Sequence, residues 1–146
     1  MLKISLDDNW KFKLSVDTDT SKIPKEIIKS LKKWNSATVP GTVHTDLSNN
    51  KLIDDPFYSD NELRLEWICE CDWVYEKEFN LPEDYTVSSP FRLVFEGIDT
   101  IAEIYLNEIN LANVDNMFRK YSFGITGILK PAKNKLSILF HSALRI

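Results

Sequence analysis

An all-β fold, an antiparallel β-sandwich with short helical insertions, is what this 146-residue sequence predicts. Three observations carry that expectation. About eight short segments alternate apolar and polar residues, the period-2 mark of a sheet with one covered face. Turn-forming residues separate them every ~8–12 positions, as in sandwiches. Helical spacing is confined to brief stretches of the first half. The length fits one domain, since domains cluster near ~100–150 residues.

The elements follow in order. Leu2, Ile4 and Leu6 alternate, then Trp10, Phe12 and Leu14 alternate after Asp7-Asp8-Asn9, which reads as one or two half-buried strands. From Ser21 to Trp34 the spacing becomes helical: Pro24 stands in a first-turn position, Ile27, Ile28, Leu31 and Trp34 recur on one side, and lysines cover the other. Pro40-Gly41 forces a turn, and Thr42 is placed to cap a brief helix running to about Asn49. An irregular stretch leads to a helical turn over Leu63 to Trp67. After it the β signal dominates: Trp73, Tyr75 and Phe79 oppose Val74, Glu76 and Glu78. Leu81-Pro82-Glu83-Asp84 turns the chain into the alternating Phe91, Leu93 and Phe95. Ala102, Ile104 and Leu106 form the next strand, Asn107 a hairpin turn, and Ile109 to Val114 its return. Tyr121, Phe123 and Ile125 make another strand, and Pro131 to Asn134 a turn before Leu136, Ile138 and Phe140. The expected core is Trp73, Tyr75, Phe95, Ile104, Leu106, Ile138 and Phe140.

Composition narrows the function. A net charge of −4 without a basic stripe argues against nucleic-acid and anionic-membrane partners. No apolar run of ~18 residues and no signal-peptide pattern is present, so a cytoplasmic address is expected. Cys69 and Cys71, two apart in what reads as extended chain, make a strained disulfide and are expected as thiols. With His44 and His141 the only histidines, no metal site is expected, and no cofactor.

Nothing in the chain spells a catalytic site. The densest acids, Asp54-Asp55, Asp60, Glu62 and Glu66, fall where Asp serves turns rather than as an acid/base pair. No Gly-x-Ser-x-Gly elbow occurs, and glycines at 41, 97, 124 and 127 build no phosphate loop. Tyr58 and Trp67, in irregular segments, are the aromatic residues suited to stack on a sugar, which leaves a free-standing carbohydrate-binding module as a second reading. A protein-interaction domain with an exposed apolar patch is a third.

Several blocks, in order, carry a likeness: Val39-Pro40-Gly41-Thr42-Val43-His44-Thr45-Asp46-Leu47, Asp55-Pro56-Phe57-Tyr58, Asn61-Glu62 with Trp67, and Asp72-Trp73-Val74-Tyr75. Phe95 to Thr100, Ile104 to Asn107, Asp115 to Arg119 and Asn134 to Ser142 continue it. Together they resemble the amino-terminal domain of family 2 glycoside hydrolases of the β-mannosidase type. The resemblance spans essentially the whole chain. It implies a galactose-binding-like jelly-roll occupying 1–146, short of its C-terminal end, with an immunoglobulin-like sandwich and a catalytic (β/α)8 barrel absent. The implied whole enzyme releases terminal β-D-mannose with retention. Its β-mannoside substrate and its barrel are then this domain's partners, and this fragment alone is inactive. A Trp-Asp-Trp-Gly segment that reaches the sugar in such enzymes falls beyond Ile146. Asn61-Glu62 does not inherit the family's acid/base role, which belongs to a barrel strand.

The resemblance makes His44, Asp46, Tyr58, Asn61, Glu62, Trp67, Asp115, Asn116 and Arg119 the candidates for sugar or domain contacts. Their plainer alternative is hydrogen bonding within the domain's own loops. One departure is local. The family's Leu-Asn-Gly hairpin is Leu106-Asn107-Glu108 here, so a turn other than type I′ is expected.

Overall fold

The computed structural model describes residues 3–54, 65–87, 89–98, 101–115 and 120–142. Those residues form an all-β structure with antiparallel sheets and two short α-helices among them. The chain divides into two compact units, Met1–Tyr75 with Ser142–Ile146, and Glu76–His141.

In the first unit β1 (Trp10–Leu14) alternates buried and half-buried positions, as its sequence predicts. The alternation of Ile4 and Leu6 builds no strand. Asn9 adopts a positive φ of 58° and the Trp10 indole N–H turns back to the Leu6 carbonyl, so the segment before it cannot continue the ladder. Helix α1 (Lys25–Leu31) is shorter than the spacing suggested. The Asn35 amide closes its C-terminal end, donating to the carbonyls of Ser30 in the helix and Lys33 just beyond it at 3.0 Å each. The chain then leaves as β2 (Asn35–Ala37), an unforeseen three-residue strand paired antiparallel with β1, and Trp34 stays at the surface. Helix α2 (Val43–Asn49) starts where Thr42 caps it, the hydroxyl accepting from Thr45 N–H. The expected helical turn falls slightly later, as a 3-10 helix over Glu66–Glu70. Cys69 lies in it and Cys71 caps it, not in a strand; both are free thiols.

Strand β3 (Trp73–Phe79) begins in the first unit and ends in the second. Within the first unit the strand order is β2-β1-β3. Phe12 stacks on Tyr75 at 5.4 Å and tilts against Trp73 at 6.0 Å, with Leu31, Leu47 and Ile68 closing the core. Stacked and tilted aromatic pairs at these separations add to plain area burial.

The second unit holds β4 (Arg92–Phe95), β5 (Ala102–Leu106), β6 (Ile109–Val114), β7 (Tyr121–Gly124) and β8 (Asn134–Phe140). Its order is β3-β8-β5-β6, with β4 and β7 forming a separate two-stranded sheet. Ile104, Leu106 and Ile138 are buried as predicted, whereas Phe95 and Phe140 are half-buried.

The β5–β6 hairpin corrects an expectation. Leu106 pairs with Ile109, and both loop residues have positive φ, 51° at Asn107 and 70° at Glu108, the mark of a type I′ turn. Asn107 sets it, because its backbone N–H donates to the Lys135 carbonyl and its side-chain oxygen accepts from Lys135 N–H, both at 2.9 Å. Glu108 must follow into the left-handed region, where a side chain is unfavourable. Glu108→Gly is therefore expected to stabilise the fold by about 0.5–1 kcal/mol, read as a higher urea midpoint at unchanged slope. A lower midpoint would contradict the strain.

Candidate functional site

The predicted site residues separate sharply once their positions are known. Tyr58, Asn61, Glu62, Asn116 and Arg119 lie outside the described residues, as do Asp55 and Asp60. His44, Asp46 and Trp67 belong to the first unit, and Asp115, exposed just after β6, to the second.

Asp46 is 1% exposed, in the first turn of α2. One carboxylate oxygen accepts from Thr38 N–H at 2.8 Å and the other from the Tyr75 hydroxyl at 2.6 Å. These bonds close the turn ahead of α2, which contains the cis Val39–Pro40 bond and Gly41. A Cβ on Gly41 would stand 2.5 Å from the Thr38 carbonyl oxygen, so the turn admits only glycine there. Asn50 ties the far end of α2 to β2, its amide reaching the carbonyls of Ser36 at 2.9 Å and Asp46 at 2.7 Å. Burial pushes the Asp46 carboxyl above its usual range, and the bonds from Tyr75 and Thr38 pull partly against it. The Tyr75 hydroxyl is pushed far up, by burial first and then by the Asp46 carboxylate.

His44 sits two residues earlier, in the same first turn of α2, and is half-buried. Burial lowers its pKa. The unfolded chain therefore takes up a proton first as pH falls through about 6.5. Stability supplied by the neutral ring is complete above that value and is lost as pH drops through the folded one. The urea midpoint of the native chain should fall more between about pH 7.5 and 5 than that of His44→Gln; parallel profiles would exclude the effect.

Trp67 is 6% exposed, tilted against Trp73 at 6.4 Å, and its carbonyl accepts from the Cys71 thiol. Its ring is not a surface platform. The indole N–H finds no acceptor among the described residues. Asp72, which opens the next matched block, anchors the first unit at several points. Its carboxylate accepts from Ser142 N–H at 2.7 Å, and its backbone N–H and carbonyl both bond the Thr18 hydroxyl at 3.1 Å.

The second unit holds a cluster that the sequence did not single out. Glu103 accepts from the Tyr105 hydroxyl at 2.7 Å on one oxygen and contacts His141 Nε2 with the other. The hydrogen bond to Glu103 raises the Tyr105 pKa. On the neighbouring strands Ser137 donates to Glu76 at 3.3 Å. Period 2 signals that Glu103 and Tyr105 share the outward face of β5, but their pairing with His141 needs the β5–β8 register, in which Glu103 faces Leu139.

Against known proteins, residues 10–146 match the glycosyl hydrolase 2 galactose-binding domain-like family. The bovine protein named beta-mannosidase is 40% identical over 142 residues, 97% of this chain and 14% of that protein. Beta-mannosidase B of Thermothelomyces thermophilus is 35% identical over 96% of this chain and 15% of its own length. The chain thus spans a small part of these relatives. Among solved structures, beta-D-mannosidase from Dictyoglomus thermophilum superposes with a TM-score of 0.82 at 38% identity, over 96% of this chain and 16% of that one. A beta-glucuronidase from Ruminococcus gnavus shares the fold, with a TM-score of 0.61 at 24% identity over 95% of this chain and 22% of that one.

Proposed function

As the chain belongs to the glycosyl hydrolase 2 galactose-binding domain-like family, we propose that it serves as the non-catalytic N-terminal domain of a retaining β-mannosidase. Its loops pack on the catalytic barrel of the same polypeptide and shape the rim of the mannose pocket. The barrel supplies two carboxylates about 5–5.5 Å apart, one the nucleophile and the other the acid and then base. This chain supplies shape.

One observation supports the reading above all: the likeness to beta-mannosidases, 40% identity in the bovine case, runs through 97% of this chain yet through only 14% of that relative. The fate of the candidate residues agrees with a scaffold. Asp46 is spent on the turn and Tyr75, and Trp67 is sealed into the core of the first unit. A free-standing carbohydrate-binding module loses Trp67 as its platform for the same reason. The two free thiols suit a reducing compartment, and we place the protein in the cytoplasm.

The test has two arms. The complete reading frame that contains this segment, expressed and supplied with an aryl β-D-mannoside, is expected to release the aryl alcohol with the β-configured sugar as first product. The 146-residue chain alone is expected to release none above buffer and to show no saturable binding of mannose. Cleavage by the chain alone, or an inactive complete protein, sinks the reading; tight mannose binding by the chain alone favours the module.

A further inference from the structure

We propose that the cleft bordered by the end of β1 and the end of α1, in the first unit, binds a phosphate or sulfate monoester. The cleft measures about 340 Å³ and is lined by Lys13, Leu14, Ser15, Val16, Thr18, Thr20 and Lys32. That volume is at the small end of the ~300–1,000 Å³ range of small-molecule sites. In a chain of net charge −4, two lysines and three hydroxyl residues line it, and no carboxylate does.

The wall is built before any ligand arrives. Thr18 N–H closes a turn on the Ser15 carbonyl at 3.2 Å, and Ser15 N–H donates to the Asp72 carbonyl at 2.9 Å. The Thr18 hydroxyl bonds Asp72 on both backbone groups, which fixes the turn to the core. Groups already ordered lose little freedom on binding, which favours association. The Lys13 ammonium stands 4.4 Å from the centroid of the Trp34 ring, which the Lys11 ammonium also approaches at 4.6 Å, and it must turn from that ring to meet an anion. Lys32, also in the lining, is the C-cap residue of α1.

With the Thr18 hydroxyl committed to Asp72, lysine ammonium groups and the hydroxyls of Ser15 and Thr20 remain, and oxyanions are the chemistry that such donors recognise together. Val16, 89% exposed on the rim, offers an apolar surface that a bare anion does not use and a ring attached to it does. The ester is therefore expected to bind more tightly than the free anion. Asp17 and Asp19 stand close in sequence but outside the lining, and the Asp19 carboxylate is turned to Ser21 N–H at 2.9 Å. They weaken the local field, so binding is expected on the order of 1 mM and to fade with salt.

The experiment is amide-resolved NMR of the 15N-labelled 146-residue chain at fixed ionic strength. Inorganic phosphate, a hexose 6-phosphate and the unphosphorylated hexose are titrated in turn. Saturable shifts centred on Ser15 to Thr20 are expected with both phosphates, more tightly with the hexose phosphate and absent with the neutral sugar. In Lys13→Gln/Lys32→Gln binding should weaken about tenfold, while Lys130→Gln/Lys133→Gln, in the second unit and outside the lining, leaves it unchanged. Dispersed spectra of both variants establish that each is folded. Equal binding of the two phosphates assigns the site to the free anion. Shifts spread over lysines at large, equal response to the neutral hexose, no saturation, or an unaffected double variant each overturn the proposal.

Discussion

Replacing Asp46 with Ala is expected to destabilise the fold by about 2–4 kcal/mol, the larger of two effects centred in the first unit. The change leaves the Thr38 N–H and the Tyr75 hydroxyl without their acceptor, and each buried orphan costs about 1–3 kcal/mol. Relief of the carboxylate's own desolvation returns part of that. For a chain this long the loss corresponds to a fall of roughly 10 °C in Tm. Tyr75→Phe removes only one of the two bonds and should cost less. In a double-mutant cycle the pair should couple by about 1–2 kcal/mol, because they share the bond; additivity would show that they do not.

The same carboxylate gives a pH signature of opposite sign to that of His44. Its pKa is raised in the folded chain, so its contribution is complete below the unfolded value of about 3.9 and is lost as pH rises through the folded one. Asp46→Asn carries no such slope. The stability of Asp46→Asn relative to the native chain should therefore rise between pH 4 and 7. A relative stability that stays constant or falls over that interval would mean that the carboxyl is not held high.

What the sequence discloses of this fold is what local chemistry decides. The alternation in β1, β5 and β8 reproduces the observed burial, since one covered face leaves its mark every second residue. Thr42 as the cap of α2 is legible because donor and acceptor are three residues apart. Strand β2 is not legible. At three residues it has no period to show, and it exists because Trp10 and Phe12 pair with Ala37 and Asn35. The type I′ hairpin is not legible either, because Glu108 alone argues against a left-handed conformation, while the bonds that impose it come from residues 20 or more positions away.

The candidate site is less legible for the same reason. Placing Asp46 among loop contacts followed from its polar phase in a matched block, yet its partner Tyr75 lies 29 residues away and no spacing rule foretells it. Trp67 looked available in an irregular segment, and the 3-10 helix that begins beside it turns the ring into the core. The outward phase of Glu103 and Tyr105 was visible; its meeting with His141 depends on register.

Asn134→Ala should be the most damaging change in the second unit, at about 2–4 kcal/mol. Asn134 is completely buried at the start of β8, and its amide is used from both ends. The oxygen accepts from Lys130 N–H at 2.7 Å and from the Asn107 amide at 3.0 Å, while the nitrogen donates to the Lys130 carbonyl at 2.8 Å. Asn107 reaches the Ile128 carbonyl at 2.9 Å with the same amide nitrogen, so the two asparagines together fasten the β5–β6 turn to the 128–135 segment. Truncation leaves the Lys130 N–H and carbonyl unanswered and opens a cavity, and both losses add. Amide exchange should quicken first at Lys130, Lys135 and Asn107. Asn134→Asp separates shape from chemistry, since it keeps the volume but sets a second acceptor against the Lys130 carbonyl. Its carboxyl is expected to titrate above the usual range, so this variant should be weakest at neutral pH and recover as pH falls towards about 4. If Asn134→Asp is as stable as the native chain at neutral pH, the amide is not donating to Lys130 and the network assigned to it is wrong.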